Sequence, residues 1–361
     1  EHSTMNMLDW ITARIPCDHS HEIAGGAMVN YKNAFDFSQG QEWAFAKPLP
    51  IVGSHDSNVR VKTSGFDGET DAGKELHIDG NLVKFFQGHN LWGTHDLIGL
   101  VNSFMNQLCS IPQLGLRPTD LQRQMWRNGL FNLSRVDVTT MYQLRNRADV
   151  LTWLANAEHS STMRHRGRGQ LCKGSTLYFG KNSRRWSLKF YAKGQELDAK
   201  GHELPKSLDL RDKLIEYAQP ALRSELTLRS KQLNDIELQL AANWPRNAEG
   251  ISHLFNGYMK GLHMSDVRRI SAENLDSLPS GCRLAYQTWL EGHDLKAMLS
   301  RPTFYRYRSQ LLQFGVDLAT VNPRENANVV PLVRVLEAMP MQVPEWAIET
   351  PLYFDPSRRM A

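Results

Sequence analysis

Four segments of this chain alternate apolar and polar residues as a half-buried β-strand requires, and each sets a chemically capable side chain on its polar face. In Glu75–Asp79, Leu76 and Ile78 oppose Glu75, His77 and Asp79. In Leu133–Thr139, Val136 and Val138 oppose Arg135, Asp137 and Thr139. In Leu188–Lys193, Leu188, Phe190 and Ala192 oppose Lys189, Tyr191 and Lys193. In Ala221–Arg229, Leu222, Leu226 and Leu228 oppose Arg223, Glu225, Thr227 and Arg229. Strands of this kind build an antiparallel sheet covered by helices on one face.

If the four share one sheet, its open face gathers His77, Asp137, Tyr191, Lys193 and Glu225. An imidazole and two carboxylates suit a divalent cation such as Mg²⁺ or Mn²⁺. A tyrosine beside that cation could attack a phosphodiester, with the metal polarising the phosphate. Taken singly, each residue has a plainer reading. A polar strand residue is usually solvated surface, and a tyrosine is usually packing. Only their coincidence on one face points to a site.

The strand-like stretches are Glu75–Phe86, Phe131–Leu144, Ser175–Lys193 and Ala221–Arg229. Helical periodicity falls between them, over Leu97–Leu108, Thr119–Trp126, Asp149–Glu158 and Leu208–Ala218, with Thr119 as an N-cap after Pro118. Beyond residue 236 the pattern is mainly helical, broken at Pro323 and Pro331, and Pro340, Pro344, Pro351 and Pro356 predict an extended tail. The expected fold class is therefore α+β: an antiparallel-sheet domain over residues 5–235, then a mainly helical domain over 236–361. At 361 residues, 41% hydrophobic and 22% charged, the composition is that of a soluble globular protein. No run approaches the roughly 20 apolar residues of a membrane span, and no basic-then-apolar leader stands at the N-terminus. The 4 cysteines are far apart and form no CxxC pair, so neither a zinc ribbon nor a disulfide framework is implied. Scattered reduced thiols fit the cytoplasm.

Net charge is only +4, but its distribution is uneven. His159–Gln195 contains no Asp or Glu, yet holds Arg164, Arg166, Arg168, Lys173, Lys181, Arg184, Arg185, Lys189 and Lys193. So one-sided a run is either a solvated basic loop or a surface for an anion, of which a phosphate backbone is the commonest.

Several motifs carry a family resemblance. Lys84–Asp96, KFFQGHNLWGTHD, resembles the QGHN-x-x-GT-x-D block of the filamentous phage gene II replication proteins. Ser134–Asp137, SRVD, resembles their S-R-[IV]-D strand, and Ser187–Glu196, SLKFYAKGQE, their tyrosine motif. Leu222–Arg229, LRSELTLR, and Asn328–Arg334, NVVPLVR, are similar to two further blocks, in the same order along the chain. The resemblance implies a rolling-circle initiator related to the HUH endonucleases. Such an enzyme nicks one strand of the phage double-stranded origin through a 5′-phosphotyrosine link and later rejoins the displaced strand. It further implies a host bacterial cytoplasm, with host helicase and polymerase as partners and no membrane. Position by position it makes Tyr191 the nucleophile and Asp137 and Glu225 metal ligands. His77 stands where relatives have Glu, so it is the weakest member of the ligand set, and no His-x-His pair is present. Lys193 would lower the Tyr191 pKa or hold phosphate. Tyr178 is a rival nucleophile. His89 could bind metal or DNA, although its glycine-flanked setting suggests a turn.

Asp294–Gly315 resembles a helix-turn-helix. Ser300 would cap a second helix with Pro302 in its first turn. That helix would present Arg301, Thr303, Tyr305, Arg306 and Arg308 to DNA, with Leu311, Leu312 and Phe314 packed behind. An ordinary amphipathic helix with a basic face fits the same residues. The competing reading of the whole chain is an origin-binding regulator without catalysis. No GxxxxGK[ST] loop for ATP is present, so unwinding would fall to the host.

Overall fold

The computed structural model describes residues 6–32, 41–66, 73–264, 272–291, 293–314, 316, 318–319, 335–336 and 340–359. The NVVPLVR segment lies outside the described residues. The architecture is α+β around one large antiparallel sheet.

The strands are, in chain order, β1 (Met7–His19), β2 (Ala27–Lys32), β3 (Gln41–Ala46), β4 (Leu49–Val52) and β5 (Asn58–Phe66). Then come β6 (Gly73–Gly80), β7 (Asn132–Gln143), β8 (Ser161–Met163), β9 (Gly167–Arg168) and β10 (Gln170–Cys172). β11 (Thr176–Phe179), β12 (Trp186–Ala192), β13 (Ala221–Arg229) and β14 (Leu262–Met264) complete the set. Nine of them form the main sheet in the order β10-β11-β12-β13-β7-β1-β6-β5-β4. β14-β8-β9 and β2-β3 are separate small sheets.

Helices α1 (Leu82–Gln87), α2 (Leu97–Cys109), α3 (Asp120–Asn128) and α4 (Arg147–Ser160) alternate with these strands. α2, α3 and α4 contribute to the core under the apolar sheet face, where Leu8, Ile11, Val136, Val138, Leu188, Phe190 and Leu226 are buried. The Trp153 ring of α4 lies 5.3 Å from that of Phe190, and the Trp126 indole of α3 donates to the Pro16 carbonyl at 2.7 Å. α3 begins where its local chemistry dictates: Thr119 and Gln122 form a reciprocal capping box.

Two expectations about the sheet change. The stretch Glu75–Phe86 is not one strand. β6 stops at Gly80, and the Asn81 side chain accepts from the Lys84 N–H to start α1. α1 ends at Gly88, with φ +82° and no room for a side chain, since a Cβ would stand 2.6 Å from the His55 ring. The polar face is also not open throughout. β7 and β13 are buried on both faces along most of their length.

β1, the centre of the sheet, breaks its own alternation. Leu8 pairs with Val138 but Ile11 with Val136, so Asp9 and Trp10 together oppose Asp137 in a bulge.

α5 (Lys193–Leu197), α6 (Arg211–Ala218), α7 (Ser230–Asp235) and α8 (Ala248–Met259) follow. Ile251 and Phe255 of α8 share the sheet's core, and β14 pairs with β8, so this core runs past residue 236. A separate core forms from Leu278, Cys282, Ala285, Tyr286, Trp289, Leu295, Phe304 and Leu311. These residues belong to α10 (Ser280–Leu290), α11 (Leu295–Met298), α12 (Arg301–Leu312) and their connections, after the short α9 (Ala272–Asp276). The proline-rich end is no free tail. Residues 340–359 contain a helical turn, Glu345–Ile348, and return to the sheet domain, where Phe354 stacks on Phe86 at 4.0 Å. The Leu352 carbonyl receives bonds from the rings of His89 and Trp92 at 2.9 and 2.7 Å.

Candidate active site

Cross-strand register brings together residues that lie far apart in the chain. Lys189 of β12 is opposite Glu225 of β13, and Tyr191 is opposite Arg223. Glu225 is opposite Thr139 of β7, and Thr227 is opposite Asp137. Asp9 projects from the β1 bulge on the other side of Asp137. Three buried carboxylates thus occupy neighbouring strands, each with its own cation. Asp137 is held by Arg135 at 2.9 and 2.5 Å, Glu225 by Lys189 at 2.8 Å, and Asp9 by Arg223 at 2.8 Å.

The neutralisation is incomplete at Glu225. Burial pushes its carboxyl up; Lys189 opposes this, but Asp137 and Asp9 add to it, and the group stands at about 7. At Asp9 burial also acts upward, but Arg223, the Asn90 hydrogen bond and the nearby lysines outweigh it and hold the acid below its ordinary range. Among the described residues, no three His, Cys, Asp or Glu side chains are grouped closely enough to hold a metal as they stand. The donor chemistry still fits a hard divalent cation. The candidate ligands are carboxylate oxygens on three neighbouring strands, the donors such a cation takes.

Tyr191 is 5% exposed and lines a cleft of ≈ 650 Å³ together with Tyr178, Lys189, Gln195, Glu196 and His202. Burial raises its phenol well above the ordinary value of 10, against the pull of Arg223. The Lys189 ammonium lies 5.0 Å from its ring centre. Tyr178 shares the cleft, because it pairs with Lys189 on the adjacent strand.

Lys193 is not a strand residue: β12 ends at Ala192 and Lys193 opens α5. It is nevertheless turned into the site and is 1% exposed. Its ammonium bonds Asn90 Oδ1 at 2.9 Å and pairs with Glu196. Burial lowers its pKa, and Arg223 adds to that against the Glu196 carboxylate.

Asn90, from the QGHN loop, joins these parts. Its amide donates to Asp9 at 2.9 Å, its Oδ1 accepts from Lys193, and its carbonyl accepts from Arg223. Asn81 adds a second donor to Asp9 at 2.6 Å. Asp9, Asn90, Arg223 and Glu196 were not singled out from the sequence. The available signals were an isolated acid in the apolar run MLDWI and the motif membership of Asn90 and Glu196.

The structure does not bring either histidine into this cluster. His77 pairs with Arg14 and Lys62, and Arg14 pairs in turn with Asn132. Five residue steps along the strand lead from Asn132 to Asp137, roughly 16 Å of rise. The β6 residue nearer the site is Asp79. His89 is fully buried and held neutral, its pKa lowered by burial to about 3. It accepts from the Leu91 N–H at Nδ1 and donates to Leu352 at Nε2.

The acid-free stretch builds strands β8 to β12 and their turns rather than one loop. Arg164, Arg168, Arg184 and Arg185 are exposed, and Arg185 pairs with Asp235. Arg166 stacks over Trp186 at 4.3 Å. In the helical unit, Asp294 caps α11 and Ser300 precedes α12, with Pro302 in its first turn. Phe304 and Leu311 face the core, whereas Arg301, Tyr305 and Arg306 are exposed. Thr303 and Arg308 are half-buried, and Thr303 Oγ1 accepts from Ser300 Oγ at 2.9 Å.

Comparison with known proteins agrees with the motifs. Residues 7–247 match the N-terminal family of the phage gene II replication-associated protein, and residues 273–353 match its C-terminal family. The chain is 40% identical over 343 residues to the replication-associated protein of Enterobacteria phage I2-2, covering 94% of this chain and 95% of that protein. It is 24% identical to the replication-associated proteins of Enterobacteria phages fd and M13, covering 83% of each pair. A solved rolling circle replication initiator protein from Geobacillus stearothermophilus aligns over 76% of this chain and 91% of its own, at 12% identity and a TM-score of 0.32. The chain belongs to the gene II family of phage replication-associated proteins.

Proposed function

We propose that this protein initiates rolling-circle replication by nicking one strand of a phage double-stranded origin and later rejoining the displaced strand. The observation that carries this reading is Tyr191 at a cleft, one strand from Glu225 and two from Asp137 on the same sheet face. A divalent cation, Mg²⁺ or Mn²⁺, held by Asp137, Glu225 and Asp9, would supply charge stabilisation at the scissile phosphate. His77 lies a strand beyond Asp9 and well along the sheet from Asp137, so Asp9 replaces it as the third ligand in this reading.

The chemistry of the chain's own residues follows. The Tyr191 oxygen attacks phosphorus as its proton passes to solvent, and the bond from phosphorus to the 3′ oxygen breaks, that oxygen taking a proton from solvent. The 5′-phosphate is then on tyrosine, and the 3′-hydroxyl is released to prime synthesis. Attack of a 3′-hydroxyl on the phosphotyrosine reverses these bonds and closes a circle. Arg223 and Lys189 offset the phenolate charge that burial opposes. Lys193, fixed by Asn90 and Glu196 where α5 leaves the end of the tyrosine strand, would lower the Tyr191 pKa or hold phosphate.

The arginines of the β8–β9 hairpin and the β11–β12 turn, Arg164, Arg166, Arg168, Arg184 and Arg185, would track the DNA backbone. Arg301, Thr303, Tyr305, Arg306 and Arg308 of α12 would read or clamp the origin. Residues 5–235 then carry the chemistry and 236–361 the recognition, although α8 and the final segment pack with the sheet. Host helicase and polymerase would complete the process in the bacterial cytoplasm. The test is supercoiled DNA carrying the cognate origin, incubated with protein and Mg²⁺ or Mn²⁺. Nicked circles are expected with the wild type. A protein that binds the origin but nicks under neither metal would be a regulator instead.

A further inference from the structure

Beside Asp137, the β1 bulge does more than deliver Asp9. It also turns Trp10 onto the charged face. Trp10 is half-buried and belongs to none of the apolar cores. Its indole N–H donates to Asp79 Oδ1 at 2.8 Å, and Thr12 and Arg60 bind the same carboxylate at 2.7 and 2.9 Å. The guanidiniums of Arg135 and Arg60 lie 5.3 and 5.7 Å from its ring centre. A large aromatic ring is thus fixed in orientation by hydrogen bonds among charged groups, where burial of apolar area does not explain it.

Two strands away stands a cation in excess. Arg229 is directly opposite Arg135, a like-charge pair that opposes folding. Arg135 is neutralised by Asp137. Among the described residues no carboxylate salt bridge forms at Arg229, whose side chain donates to Ser187 Oγ at 3.2 Å. Two strand spacings and a two-residue offset along the strands set Trp10 and Arg229 roughly 12 Å apart, within reach of a base and a nearby phosphate of one strand.

We propose that Trp10 and Arg229 form a nucleotide subsite beside Asp137, with Trp10 stacking an unpaired base of single-stranded DNA and Arg229 holding an adjacent phosphate. The proposal rests on the nicking reading for its meaning. Its ligand class follows from the ring: a base inside a duplex keeps its faces covered by its neighbours, so the strand must be single. Arg60, half exposed, is the group that an incoming base would displace from the ring.

The test measures binding alone, in EDTA, so that no cleavage enters. Fluorescence anisotropy compares a labelled oligo-dT with an abasic oligomer of equal length, which keeps the phosphates and lacks the bases. Wild type is expected to prefer oligo-dT. Trp10→Ala should weaken oligo-dT binding about tenfold and leave the abasic probe unchanged, while Trp10→Phe keeps most of the preference. Trp10→Leu preserves an apolar side chain without a ring and guards against a folding defect; it too should lose the preference. Arg229→Gln should weaken both probes alike and flatten the salt dependence by about 0.7 in log–log slope. Unchanged oligo-dT affinity in Trp10→Ala or Trp10→Leu, or equal losses on both probes, overturns the stacking role. An unaltered salt slope in Arg229→Gln overturns the phosphate role. A protein that stacks oligo-dT through Trp10 yet never nicks origin DNA keeps the subsite and sinks the nuclease reading.

Discussion

The sheet site and the α10–α12 unit both carry positive charge, but they use it in opposite ways. In the sheet, Arg135, Lys189 and Arg223 are each bound to a buried carboxylate. On α12, Arg301 and Arg306 point into solvent. Buried pairs fix geometry, and removing one partner strands the other at high cost. Exposed cations contribute little to folding and are available to phosphate. On the proposed reading the sheet would supply chemistry at one point and the helix contact over a surface. Substitutions should separate the two: losses of rate without loss of origin binding in the carboxylate cluster, and the reverse on α12.

The largest effect belongs to Tyr191→Phe. It removes one oxygen, so the fold should hold while nicking of supercoiled origin DNA falls below detection and origin binding stays within twofold. Residual nicking would transfer the role to Tyr178, which lines the same cleft. Next come Glu225→Gln and Asp137→Asn. Each should lower the nicking rate by roughly 10²–10³, in line with loss of one electrostatic stabiliser. Binding in a gel shift should persist. A rate within a fewfold of wild type in either variant would end its assignment as a metal ligand, and the same assay on Asp9→Asn against His77→Gln decides between those two. Asp9→Asn should behave like the ligand variants, and His77→Gln should not.

The same contrast between local and distant determinants governs what could be read along the chain. β13 and α3 are visible because their determinants are local: an unbroken alternation in one, a capping box from Thr119 to Gln122 in the other. β1 is not, because its bulge doubles Asp9 and Trp10 onto one face and destroys the period that marks a strand. Tyr191, Asp137 and Glu225 each sit within a motif. Asp9 meets Asn81, Asn90 and Arg223, all distant in sequence, and nothing near Asp9 predicts them. The prolines at the end do make an irregular chain, but its docking depends on Leu352 and Phe354 meeting the QGHN loop.

That docking gives a third effect, on stability and its pH dependence. His89 is neutral in the fold, with a pKa lowered to about 3 from an ordinary 6.5. A depressed pKa means that the unfolded chain binds the proton more readily. The stability His89 contributes is therefore present above pH 6.5 and lost as pH falls towards 3. Thermal melts of wild type should decline across that window. His89→Gln should melt lower at pH 7 and decline less steeply. If the two slopes coincide, the histidine is not what couples the terminal segment to pH.

The smallest effects fall on α12, and they test the contrast from its other side. Arg301 and Arg306 are exposed, so Arg301→Ala and Arg306→Ala should leave the melting temperature within about a degree, as surface substitutions generally do. Each should weaken origin binding by a fewfold at moderate salt. Each should also reduce the slope of log affinity against log salt by about 0.9, the signature of one released counterion on duplex DNA. Tyr305→Ala separates reading from clamping. If its exposed ring meets bases, discrimination between origin and random duplex should shrink while the salt slope holds. With saturating DNA, the nicking rate of all three should match wild type, because none touches the carboxylate cluster. A fall in that saturated rate would mean that α12 helps to assemble the site, and the division between a reacting sheet and a contacting helix would have to be given up.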